Sequence, residues 1–184
     1  MKLTNNLFSS AIVLAIGLAV GAAQAADPAP PAAPLTDAQV LGLVGTANDA
    51  QINMGQVAST KGQNNDVKAF GAKMVVEHTA GNVKLKALEM KSKITREDSQ
   101  ASADLKKNTD AMTDSLKNAK DADFDKAFID GQVKMHQDLL NALDQQLIPN
   151  AQNADVKAFL EELRTAVDTH LKEAQKIQTD LNTP

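Results

Sequence analysis

The sequence predicts an all-α protein, and three observations carry that prediction. Apolar residues recur at spacings of three and four over long segments, which is the repeat of an α-helix and not of a strand. Proline stays out of those segments: four of the six fall within residues 26–34, and the others are Pro149 and Pro184. Each strong segment also opens on Thr, Asn or Asp, the residues that cap helix N-termini.

The chain begins with what reads as an export signal at 1–25. Lys2 gives the positive start, an apolar stretch runs from Leu7 to Val20, and Ala23-Gln24-Ala25 fits a small-x-small cleavage site. That apolar stretch is too short for a stable membrane span, and no cysteine follows it to take a lipid. A Pro/Ala-rich tether at 26–35 leads into one domain at 36–184. The expectation is a periplasmic protein with no transmembrane segment in its mature chain, outer-membrane association being the alternative.

Composition narrows the function. The chain has no Cys, which suits an oxidising compartment because no thiol can mispair. It has no Trp or Tyr, so it lacks both the aromatic belt of a membrane barrel and the usual stacking platforms for single-stranded nucleic acid. With a net charge of −4, a nucleic-acid partner is not expected. There is also no glycine-rich phosphate loop and no Gly-x-Ser-x-Gly elbow.

The first helix is expected over 37–61, where Thr36 and Gln39 have capping-box spacing and Val40, Leu43, Val44, Gln51, Met54 and Ala58 face inward. The second, 65–92, carries Val67, Phe70, Met74, His78, Leu85 and Leu88 on one stripe. From Ile94 to Lys120 only Leu105, Met112 and Leu116 keep helical spacing, which predicts a short helix inside a long crossover. A helix over 122–147 presents Phe124, Phe128, Gln132, Met135, His136, Leu139 and Leu143. The last, 154–181, presents Val156, Phe159, Leu163, Val167, His170, Ala174 and Ile177. Asp66-Val67-Lys68-Ala69-Phe70 recurs as Asp155-Val156-Lys157-Ala158-Phe159, each time opening a histidine-bearing helix. Two helices on either side of a long crossover make a ferritin-like four-helix bundle.

His78, His136 and His170 are the three histidines of the chain, and each lies near the midpoint of its helix. Mid-helix residues share one level in a bundle of equal helices, and Gln51 holds that level on the first helix. Three neutral imidazoles in an apolar layer need partners, and a metal ion is an efficient one. A di-iron centre is disfavoured: the residues three before each histidine are Val75, Val133 and Val167, where such bundles carry Glu. Glu77 beside His78 is expected to point elsewhere, and no supporting carboxylate is evident from spacing. Met74 and Met135 offer thioethers that suit copper, and a tris-histidine zinc site is the other option. Single buried histidines are more often hydrogen-bonded core residues, and methionines are common core filler. Lys84, Lys86, Lys91 and Lys93 read as a solvated face, with a role at an anionic lipid surface as the alternative.

The run Gln51-Ile52…Gly55…Ala58, Val67-Lys68-x-Phe70…Met74-Val75-x-Glu77-His78-Thr79…Asn82…Leu85, Phe124-Asp125-x-x-Phe128…Gln132-Val133…His136-Gln137 and His170-Leu171 resembles the domain-of-unknown-function family 4142. The resemblance covers about residues 37–181. It implies an exported bacterial protein with a ferritin-like helical fold, often labelled an outer membrane protein, and its histidine positions match His78, His136 and His170. The family typically has Glu where this chain has Gln51, a departure that weakens a hard-metal site. Three functions follow as expectations. The first is a non-enzymatic periplasmic bundle holding a metal ion or small ligand in the histidine layer. The second is a structural or stress-related interaction protein whose histidines pack the core or sense pH. The third is a metal-dependent oxidoreductase.

Overall fold

A computed structural model describes residues 33–183; the expected signal at 1–25 and most of the tether lie outside the described residues. Five helices follow in order: α1 (Asp37–Lys61), α2 (Asn65–Ser92), α3 (Gln100–Asn118), α4 (Asp121–Ala142) and α5 (Ala154–Asn182). No described residue is in a strand, and no described helix is long and apolar enough to cross a membrane.

Local chemistry sets the boundaries. Thr36 and Gln39 close the expected capping box on α1. Asn64 caps α2 by accepting from the backbone of Asp66 and Val67, and Asn153 caps α5 identically through Asp155 and Val156. The repeated pentapeptide is therefore the first turn of two identically capped helices. The two turns are also tied from a distance. Asp125 on α4 accepts from the backbone of Gln63 and Asn64, at 2.9 and 2.7 Å, and Asp37 on α1 accepts from Gln152 and Asn153, at 3.1 and 2.8 Å. Past Ala142, α4 loosens into a π-helical turn, Leu143–Leu147, before the short turn Ile148–Asn150. Pro149 in an α-register would press its ring on the carbonyl four residues back, and the wider turn before it relieves that clash.

The core comes in two apolar halves. One gathers Met54, Ala58, Phe70, Met74, Phe124, Phe128, Ala174 and Ile177, and the other Leu41, Val44, Leu85, Leu88, Leu143, Leu160 and Val167. Their order along each helix gives its direction: α1 and α5 run one way, α2 and α4 the other. The link from α2 to α4 must therefore travel the full length of the molecule. That is the reason the expected short crossover helix is in fact 19 residues long and spans about 28 Å. Its signal was faint because its buried positions are Ser102, Thr109, Thr113 and Leu116. Two of these hydroxyls are satisfied within the helix, Thr109 Oγ1 donating to Leu105 O at 2.9 Å and Thr113 Oγ1 to Thr109 O at 2.8 Å.

Glycines let backbones meet where α1 is crossed. A Cβ on Gly42 would lie 2.1 Å from the carbonyl oxygen of Glu97, in the segment between α2 and α3. That segment is pinned by Arg96, which grips the buried Glu89 carboxylate with Nε at 2.9 Å and Nη2 at 3.2 Å, and the guanidinium holds the carboxyl below its usual range. Between α1 and α2, a Cβ on Gly71 would come within 2.8 Å of Ala58 Cβ and 2.9 Å of both Gly55 O and Ser59 N. Gly71→Ala is therefore expected to force the α1–α2 hairpin apart. The overpacking cost of about 1–3 kcal/mol exceeds the gain of roughly 1 kcal/mol in helix propensity. Urea denaturation measures the net loss; a variant as stable as the parent would show that the crossing is not tight.

Candidate functional site

Between the two apolar halves lies one polar layer, to which α1, α2, α4 and α5 each contribute from near their midpoints. His78, His136 and His170 come together there as expected, all buried. Their ring centroids are 5.4 to 6.4 Å apart, and one ring nitrogen from each lies within 4.8 Å of the others. Gln51 is also buried in its expected place. Met74 is fully buried and Met135 partly so, both in the apolar half that holds Phe70 and Phe128.

Each histidine spends its other nitrogen on an oxygen outside the layer, and each of these oxygens can only accept. His170 Nε2 donates to Glu77 Oε2 at 2.6 Å, and His136 Nδ1 to the backbone oxygen of Gln132 at 2.9 Å. His78 Nδ1 meets Asn48 Oδ1 at 2.9 Å, and here the roles are set by a chain that runs to the surface. Asn82 Nδ2 donates to the Asp49 carboxylate at 2.8 Å, so its Oδ1 is free to accept from Asn48 Nδ2 at 3.0 Å. Asn48 must therefore present its oxygen to His78. The three protons are thus held on the outer nitrogens. His78 Nε2, His136 Nε2 and His170 Nδ1 are left as lone pairs that converge on one another.

The unsatisfied polar atoms fall in the same place. Among the described residues, buried side-chain atoms without a hydrogen-bond partner are confined to Gln51 Oε1, His78 Nε2, both amide atoms of Gln132, and His170 Nδ1. Buried polar groups are ordinarily paired, so a cluster on four helices marks a position that wants a cation, a donor or water.

Burial also keeps two of the imidazoles neutral. It pushes His78 down to about 3, with repulsion from His170 and His136 adding to the effect, and His136 down to about 4. Neutral imidazole is the form that ligates a metal. A groove of about 240 Å³ between α2 and α5 reaches His78 and His170 from outside, with Glu77, Lys84, Phe159 and Glu162 on its walls.

Glu77 corrects the expectation that it points away from the site. It does lie off the face of His78, and that displacement carries it to the α2–α5 seam, where it meets His170 instead. Lys73, one turn earlier, sits 3.9 Å from Glu77 and is ion-paired with Glu173 on α5. Spacing within one helix gave no sign of this contact, nor of Asn48, which holds His78 from α1.

The fold and site define an all-helical protein with a buried tris-imidazole layer. The chain belongs to the family described as Domain of unknown function (DUF4142), whose profile matches residues 21–177. Comparison with curated proteins and with solved structures finds no match.

Because the folded pKa values of His78 and His136 lie below the unfolded value of about 6.5, the unfolded chain binds more protons as pH falls. The stability these two rings contribute to the metal-free protein is therefore full above pH 6.5 and is lost as pH falls, down to about pH 4 for His136 and about pH 3 for His78, by up to about 1.4 kcal/mol per pH unit for each. Denaturation midpoints from pH 7 to 4.5 measure the slope, and His78→Gln/His136→Gln separates it from carboxylate effects. Equal slopes in parent and variant would show that these imidazoles do not titrate on unfolding.

Proposed function

We propose that this is an exported periplasmic protein that holds one transition-metal ion in the histidine layer of a ferritin-like four-helix bundle, and that it binds rather than catalyses. The observation that carries the reading is the convergence of three lone pairs, each enforced by an acceptor on the far side of its ring. Such outer acceptors are the usual support of metal-ligating histidines, fixing tautomer and orientation. The chain directions and the full-length return through α3 support the ferritin-like arrangement.

The donor set favours zinc or copper over a di-iron centre. It consists of three imidazoles, with His78 and His136 held neutral by burial, and the Glu77 carboxylate is turned to the outer nitrogen of His170. Carboxylates are what a hard-metal oxygen chemistry would need. Gln51 and Gln132 carry unpartnered amide oxygens for a fourth position or a bound water. The present spread of up to 4.8 Å between nitrogens is wider than the roughly 3.4 Å of a closed tetrahedral site, so the rings draw inward on loading.

Residues 33–184 contain both core halves in one compact unit, which is the piece needed to fold alone. Untagged protein of this span, titrated with Zn²⁺ and with Cu⁺ under reducing conditions, should take about one ion per chain. His78→Gln/His136→Gln/His170→Gln should take none at the same concentrations. A folded parent that binds neither ion, or an unchanged affinity in the triple variant, would sink the proposal. A further outcome concerns Glu77. Glu77→Gln removes the acceptor-only partner of His170, and the affinity should fall by about 10- to 100-fold with helical content intact by circular dichroism. An affinity equal to the parent's would show that the carboxylate does not orient the ring.

A further inference from the structure

The outward face of α2 is apolar where a surface helix should be polar. Val76, Val83 and Met90 are each 68% exposed. Seven residues apart, they form one row, about 21 Å long at 1.5 Å per residue, with exposed Ala72, Ala80 and Ala87 filling the gaps. A helix apolar on both faces is normally covered on both.

Lysines line both edges. Along the α5 side run Lys73, Lys84 and Lys91, paired respectively with Glu173, with Glu162 at 3.6 Å and with Asp155 at 2.7 Å. Along the other side run Lys68, Lys86 and Lys93. Of these Lys86 approaches Glu89 at 3.5 Å, a carboxylate already held by Arg96, so this edge keeps its positive charge. A two-fold antiparallel pairing of α2 with a second copy would set like edges together and bring the Lys86 rows into contact. The stripe is also small. At about 10 Å wide it offers roughly 200 Å² against the ~800 Å² per partner of a standard protein interface. A convex apolar ridge between lysine rows instead suits a layer that yields around it and presents phosphates at its edges.

We propose that the outer face of α2 docks on an anionic phospholipid surface, with Val76, Val83 and Met90 entering the headgroup region and the Lys68–Lys86–Lys93 edge meeting lipid phosphates. The protein lies on the membrane through this one helix and does not span it. Docking is independent of the histidine layer, which faces the opposite side of α2.

The test is co-sedimentation of residues 33–184 with vesicles of phosphatidylglycerol and phosphatidylcholine in equal parts, and with phosphatidylcholine alone. Binding is expected to the anionic vesicles at low salt, to weaken at high salt, and to be absent without phosphatidylglycerol. Val76→Ser/Val83→Ser/Met90→Ser should weaken it about tenfold or more. Lys68→Gln/Lys86→Gln/Lys93→Gln should weaken it similarly and flatten the salt dependence. Five of the six positions are exposed and Lys68 is half-buried; unchanged circular dichroism and zinc affinity would show that fold and histidine layer survive. No binding to anionic vesicles at low salt overturns the proposal, as does binding that both variants retain in full. A concentration-dependent dimer abolished by the serine variant also overturns it, since the face would then belong to a second copy.

Discussion

The structure turns on an electrostatic conflict at its centre. Three imidazoles are packed between two apolar clusters, and each is made to point a lone pair at the other two. Of these inner nitrogens, His78 Nε2 and His170 Nδ1 are fully buried with no hydrogen-bond partner among the described residues. Uncompensated buried acceptors cost of the order of 1–3 kcal/mol each, and leucine or phenylalanine at these positions would carry no such cost. The acceptors behind the rings come from three different sources: a helical carbonyl, a carboxylate and an amide relay ending at Asp49. Their common effect is to fix one tautomer per ring, and all three tautomers suit the same central cation.

The rest of the architecture holds this layer in place. The α1–α2 hairpin is drawn tight at Gly55 and Gly71, which places Asn48 against His78. The α2–α5 seam is stitched by Lys73, Lys84 and Lys91 to acids of α5, and Glu77 reaches His170 across it. Exposed pairs of this kind are individually worth about 0–1 kcal/mol, so their use here is register: a slip of one turn would carry Glu77 past His170. The two apolar clusters supply the stability, and the polar layer costs some of it.

Much of this could be read from sequence because it is periodic. His78, His136 and His170 sit on apolar stripes, and the period alone placed them inward and near one level. The capping residues fixed the helix starts almost to the residue, and the repeated Asp-Val-Lys-Ala-Phe marked two equivalent helix starts. Helix α3 was poorly legible because its inner face is serine and threonine, which satisfy their own hydroxyls and so evade an apolar pattern. Asn48 and Glu77 were illegible for another reason. Their partners lie 30 and 93 residues away on other helices, and periodicity within a helix carries no information on which neighbour a side chain meets. The outer face of α2 was seen only as lysines; Val76, Val83 and Met90 lie off the inward stripe, and their 68% exposure shows that nothing covers them.

The most direct measurement is the tautomeric state of the three imidazoles, read from long-range proton–nitrogen-15 correlations on metal-free protein at pH 7. The expected result is neutral rings at His78 and His136 with the proton on Nδ1, and a proton on Nε2 of His170, facing Glu77. A charged His78 or His136, or a proton found on His78 Nε2, His136 Nε2 or His170 Nδ1, would be the contradicting result, because the three inner ring nitrogens would then not all be free to accept a cation.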